Sequence, residues 1–200
     1  MKKENTKSTV NQELWRQVYD PIAGKKVMYN IYPLMMQSQN LKGKKRIIAK
    51  YMEEDLFSSV CSLLDIHEPD VEYSSKGFPS KTMAAMYSFD DDTIYVNKNP
   101  DISFGCKLLG IASTLRVAWQ YKRNPSYYTY IKPRSRAGIE EYNRQKPIVD
   151  MTAFGCIALS LLFGYDPILP LSDSLIDAIK KRKELIYKEL ISAGKIKPVN

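Results

Sequence analysis

From Pro147 to Phe163 the chain reads Pro-Ile-Val-Asp-Met-Thr-Ala-Phe-Gly-Cys-Ile-Ala-Leu-Ser-Leu-Leu-Phe, apolar on nearly every side of a helix. A helix with no polar face must be enclosed, so the core is expected to form around Ile148–Phe163. Pro147 suits the first turn, where its missing N–H costs nothing. The strongly apolar run Ala153–Phe163 is too short to cross a bilayer core of roughly 30 Å, so protein rather than membrane is the expected surround. Two hundred residues allow one compact domain, or one domain with an ordered extension.

Around that segment the chain alternates helical and strand-like patterns. Residues 1–8 are polar, and Leu14, Trp15 and Val18 suggest a short helix over residues 9–20, stopped before Pro21. Residues 21–43 have no clear period. Ile48, Met52, Leu56, Val60 and Leu63 recur at helical spacing between Lys44 and Leu64. Lys42, Lys44, Lys45 and Arg46 oppose the dipole at the start of that helix, a hint that they serve a partner, against the alternative of solvated lysines. Two β-prone runs, Thr82–Phe89 and Thr93–Asn97, flank Asp90-Asp91-Asp92 and read as a hairpin with an acidic turn. Calcium would need 6–8 oxygens that the neighbouring sequence does not supply, so those aspartates read as turn chemistry. Asn99-Pro100-Asp101 opens a helix with the apolar stripe Phe104, Leu108, Ile111, Leu115 and Ala118, ended by Arg123-Asn124-Pro125. Ser172 or Asp173 caps a last amphipathic helix to about Ser192, with Lys180-Lys181-Arg182-Lys183 outward. These elements predict an α+β fold, a small antiparallel or mixed sheet packed on several helices. Residues 1–43 read as a basic, partly ordered N-terminal extension and residues 44–200 as a single domain.

Charge and cysteines narrow the function classes. The formal charge of +8 is uneven: residues 1–50 carry eleven Lys/Arg against three Asp/Glu, and residues 51–100 three against ten. A basic surface suits a nucleic acid or an acidic protein, or is merely solvated lysine. No apolar leader opens the chain, and Cys61, Cys106 and Cys156 are isolated and odd in number. Buried thiols in a reducing cytoplasm fit better than disulfides or a metal site. Cys106 and Cys156 read as buried hydrophobes rather than nucleophiles. His67 is the single histidine, so a two-histidine metal site cannot be assembled, and its distance in sequence from Ser113 and Thr114 argues against a Ser–His nucleophile.

Three ordered features carry a resemblance. The strand pair Ala85-Met86-Tyr87-Ser88-Phe89 and Thr93-Ile94-Tyr95-Val96-Asn97 precedes a helix holding Leu115-Arg116 and Ala118-Trp119-Gln120. Next come Tyr142 and Ile148-Val149-Asp150-Met151-Thr152-Ala153-Phe154. Over roughly residues 80–165 this order resembles the minimal gluzincins, small zinc peptidase domains related to phage and mobile-element proteins, whose helix carries HExxH. The resemblance implies a zincin-like scaffold. It places Ser113 and Val117 at the two histidine positions, Thr114 at the general base and Ile148 at the third metal ligand. Asp150 and Phe154 match pattern residues that do not bind metal. All four chemical positions are replaced, so the resemblance implies a catalytically silent relative with no cofactor. Val117 and Ile148 should then fill the vacated metal position with apolar packing. An unrelated α+β domain, in which Leu115–Gln120 is simply core, stays open.

Such a chain is expected to act through a surface. The favoured partner is a protein or peptide, captured on an exposed edge strand beside a cleft floored by Ser113, Val117 and Ile148. The alternative is a nucleic-acid-binding or anti-defence protein of a phage or mobile element. The basic, tyrosine-rich segment Tyr121–Tyr142 supports either, and Tyr127, Tyr128, Tyr130, Arg134 and Arg136 are its candidate contact residues. An active hydrolase with an unrecognised site is the least favoured reading, and a Ser113–Lys107 pair, one and a half turns apart on the helix, is a remote candidate nucleophile. No membrane is implied, and the sequence does not set the oligomeric state.

Overall fold

The computed structural model describes residues 13–20, 22–128 and 134–198. The apolar segment forms α5 (Lys146–Phe163), with Pro147 in its first turn and Gly164 as a left-handed cap at φ 62°. The Gly164 N–H returns to the Ser160 carbonyl and the Tyr165 N–H to Leu159, closing the helix end. By length and mean hydropathy (1.5) α5 could cross a membrane. In this fold it packs mainly between α3 (Phe104–Arg123) and α6 (Asp173–Ser192), which cover much of its apolar surface. Ala153, Phe154, Ile157, Ala158 and Leu159 are wholly enclosed.

α3 links this helical layer to a three-stranded sheet. β3 (Asp70–Ser74), β4 (Ala85–Ser88) and β5 (Thr93–Asn97) lie in the order β3-β5-β4. β4 and β5 form the expected antiparallel hairpin, with Ala85 opposite Val96 and Ser88 opposite Thr93. β3 pairs with β5 in parallel, Asp70 opposite Thr93 and Ser74 opposite Asn97. The sheet is therefore mixed, and the α+β class read from the sequence is the one the chain adopts. β5 is central, with Ile94 and Val96 buried, while β3 is an edge strand that pairs with no other strand among the described residues and that hydrophobic patterning does not reveal.

The acidic turn is held by protein groups. Asp92, at φ 51°, accepts the Tyr87 hydroxyl at 2.6 Å and Lys122 Nζ at 2.8 Å. Asp91 accepts the Tyr95 hydroxyl at 3.0 Å. Burial pushes the Asp92 carboxyl up, but Lys122 and Tyr87 outweigh it and hold it below its ordinary range.

The N-terminal region departs from the sequence reading. Residues 15–20 are not helical but form β1 (Trp15–Asp20), antiparallel to β2 (Lys25–Asn30) in a separate sheet. The reason is a period of two. Val18 and Asp20 turn inward while Trp15, Gln17 and Tyr19 face out. The inward Asp20 accepts the Ile22 and Ala23 N–H groups at 3.1 and 3.3 Å and pairs with Lys44 at 2.5 Å. That ion pair ties the hairpin to α2 (Gly43–Leu64). A short helix, α1 (Tyr32–Met36), comes after the hairpin. Ile31, Leu34, Met35 and Leu41 are buried in the same core as Ile48, Met52 and Leu56 of α2, so residues 13–43 share one core with the rest of the domain.

The basic start of α2 is partly structural as well. Lys44 serves Asp20, and Lys45 reaches Gln37 at 3.1 Å. On α6 the expected outward basic run is broken, because Arg182 turns inward to Asp150 at 2.5 Å. α4 (Arg134–Arg144) is kinked at Gly138 and leads into α5.

Candidate functional site

Ser113, Thr114 and Ile148 are buried, and Val117 is partly so. Ser113 meets α5 at Gly155, where an added Cβ would collide with Ser113 Oγ and lie 3.0 Å from Leu109 Cδ1. The bare glycine therefore permits the close approach of α3 and α5 at this level. Gly155 lies two turns, about 10 Å, beyond Ile148 on α5. Ser113 therefore meets α5 two turns away from Ile148 rather than beside it.

His67 is exposed, its Nδ1 2.9 Å from the Glu68 carbonyl oxygen. No cluster of three His, Cys, Asp or Glu suited to a metal occurs among the described residues. Lys107 does not approach Ser113. It is buried against Glu53 of α2, on the opposite side of α3.

Residues of α3 and α5 converge on a buried carboxylate. Arg116 Nε donates to Asp150 Oδ2 at 2.7 Å, and Gln120 Nε2 donates to the same oxygen at 2.5 Å. The Arg116 guanidinium lies 3.8 Å from the Trp119 ring centroid and 5.1 Å from that of Phe154. Arg182 reaches the other Asp150 oxygen, and Glu189 binds Arg182 at 2.9 Å. Arg116 and Asp150 are each 4% exposed, so this is a desolvated ion network. Burial pushes the Asp150 carboxyl up, yet Arg116 and Arg182 prevail and hold it below the usual carboxylate range.

A groove runs on the other side of α3, between α2 and the edge strand β3. It comprises two adjoining hollows of about 650 and 530 Å³ that share Lys50, Glu53 and Tyr73. Glu53 accepts the Tyr73 hydroxyl at 2.7 Å and bonds Lys107, whose ammonium stands 5.1 Å from the Tyr73 ring centroid. Burial and Glu53 push the Tyr73 phenol up, so it stays protonated and donates.

The β3 backbone completes the groove. The Asp70 N–H bonds Asp92 O at 3.1 Å, and Ser74 O accepts the Lys98 N–H at 2.8 Å. These bonds fix the parity of the ladder: residues 70, 72 and 74 face β5, while the N–H and C=O groups of Val71 and Tyr73 point off the free edge. Those outward groups have no backbone partner among the described residues, and Val71 and Tyr73 are 38% and 46% exposed.

Tyr130, and the side chains of Tyr127, Tyr128, Arg134 and Arg136, lie outside the described residues. Pro125–Tyr128 forms a single 3₁₀ turn after α3. Cys106 is exposed, against expectation, because the apolar stripe of α3 passes through Phe104 and Leu108 and leaves position 106 outward. Cys61 and Cys156 are buried, and desolvation pushes their thiols up to about 12 and about 11.

One signal for the buried network was present in the sequence: Asp150 is the lone charged residue between Pro147 and Phe163. Lys107 likewise falls on the apolar stripe of α3. No protein-family model, no curated protein and no solved structure matches this chain.

Proposed function

We propose that this chain is a non-catalytic module that binds a protein or peptide, taking an extended segment onto β3 beside the α2/β3 groove. One observation carries the reading: the outward N–H and C=O groups of Val71 and Tyr73 lie on an open edge next to a groove. An added strand would satisfy those groups, and the groove offers room for alternate side chains.

The descent of the scaffold from a minimal gluzincin belongs to the same proposal. It is supported by the meeting of Arg116 and Gln120 from one motif segment with Asp150 and Phe154 from the other. The absence of catalysis is supported by the burial of Ser113, Thr114 and Ile148, with no hydrogen bond between either hydroxyl and a lysine, arginine or histidine among the described residues.

The test uses the backbone itself. Proline at position 71 deletes an N–H that the β5 ladder does not use, whereas Val71→Thr keeps it. A random dodecapeptide display library panned on the wild type and on Val71→Thr should yield binders. The enriched peptides should fail to bind Val71→Pro at an unchanged melting temperature. Equal binding to Val71→Pro would refute edge pairing.

A second reading has its own observation. Trp15, Tyr19 and Met28 are exposed on the outer face of the β1–β2 hairpin, where Tyr19 lies 5.2 Å from the Tyr51 ring and Lys25 and Lys26 are adjacent. Such a face can stack unpaired bases while lysines meet phosphates. Binding of an oligo-dT probe that collapses between low and physiological salt and is lost in Trp15→Ala would favour this reading.

A further inference from the structure

The groove is electrically two-ended. At the β3 C-terminal end its wall carries Arg46, Lys98 and Lys107, and at the N-terminal end Glu54, Glu68 and Asp70. Lys107 is committed to Glu53, and Glu53 also takes the Tyr73 hydroxyl, so the middle of the groove is neutralised. Arg46 and Lys98 make no ion pair among the described residues, and the same holds for Glu68 and Asp70. Each end therefore presents charge that its own fold leaves uncompensated.

We infer that the groove selects its bound strand by charge order: an acidic residue set against Arg46 and Lys98, and a basic residue against Glu68 and Asp70. This rests on the edge-strand reading above and names the chemistry of its ligand. The spacing comes from β3. Asp70 and Ser74, whose carbonyl holds Lys98, are four residues apart, about 13 Å at about 3.3 Å per residue. That exceeds the screening length of about 8 Å at physiological salt, so the two ends read separate ligand residues. Antiparallel pairing is the more stable per residue, and it places the ligand's N-terminal half at the β3 C-terminus. The ligand is thus an extended peptide in which an acidic residue precedes a basic one by about four positions.

The dodecapeptide library, panned near physiological salt, separates this inference from the reading beneath it. On the wild type, enriched peptides should show the acidic-then-basic order at that spacing. The Arg46→Glu/Lys98→Glu variant changes exposed side chains only, so its melting curve should match the wild type. It should bind the synthesised wild-type consensus peptide roughly tenfold more weakly, the scale of two lost surface charge contacts. It should also stop enriching the acidic residue. Enriched peptides with no charge order or with the reverse order would overturn the inference, as would equal binding by the double variant. In each of those cases the edge reading survives if Val71→Pro still abolishes capture. No enrichment on the wild type would overturn both.

Discussion

Removing the Asp150 carboxylate is the most informative single perturbation of the fold. Arg116, at 4% exposure, donates to it at 2.7 and 3.3 Å, Gln120 donates at 2.5 Å and Arg182 at 2.5 Å. In Asp150→Ala the Arg116 guanidinium keeps only Glu189, at 3.8 Å, as a carboxylate partner among the described residues. A buried ion pair broken on one side costs about 3–5 kcal/mol, because the remaining charge is desolvated without compensation. Arg182 is more exposed and retains Glu189, so it adds little.

For a chain of this size, 3–5 kcal/mol corresponds to a melting-temperature fall of roughly 6–20 °C. Urea titration monitored by circular dichroism, with an unchanged m-value, would measure it. Arg116→Met in the Asp150→Ala background should recover part of the loss by removing the stranded charge. The pH dependence has a definite sign. The folded Asp150 carboxyl is depressed, so its contribution is present above the unfolded value of about 3.9 and fades as pH falls through the folded one. The gap between wild type and Asp150→Asn should therefore be flat near neutral pH and close in acid. A loss below about 1 kcal/mol in Asp150→Ala, the range of a surface pair, would refute the buried-network account.

Gly155→Ala should destabilise by about 1–3 kcal/mol in the same titration, since the new methyl meets Ser113 Oγ and Leu109 across the α3–α5 contact. Ile148→Asp should cost several kcal/mol and clearly more than Val117→Asp, because Ile148 is the more deeply buried. In native protein a thiol reagent should titrate Cys106 rapidly and Cys61 and Cys156 only on unfolding, read as fast and slow absorbance steps. Elemental analysis of purified protein should find well under one zinc per chain, given the single, exposed histidine.

The long helices were legible because periodic apolar stripes such as Ile48–Met52–Leu56–Val60 admit one secondary structure. The β4–β5 hairpin was legible from β-prone runs around its aspartates. β1 was misread because Leu14, Trp15 and Val18 also satisfy helical spacing. Its inward Asp20 is satisfied by Lys44, a partner that a hydrophobic pattern cannot display. β3 escaped notice for a related reason. Asp-Val-Glu-Tyr-Ser holds two large apolar residues, both exposed, and its order comes from parallel pairing with a strand about twenty residues away. The Lys107–Glu53 and Arg116–Asp150 pairs join different helices, so only the oddity of a charge on an apolar face announced them. The groove inherits that obscurity, since its walls, α2 and β3, are brought together by the tertiary fold.

Amide hydrogen exchange by NMR on the free and peptide-saturated protein tests the edge-strand account most directly. In the free protein the Val71 and Tyr73 amides should exchange fast while that of Glu72, directed at β5, is protected. Saturation with a library-selected peptide should bring strong protection to Val71 and Tyr73 and leave Glu72 unchanged. A saturating peptide that leaves Val71 and Tyr73 exchanging at their free rates would contradict the account, because binding would then not run through the β3 edge.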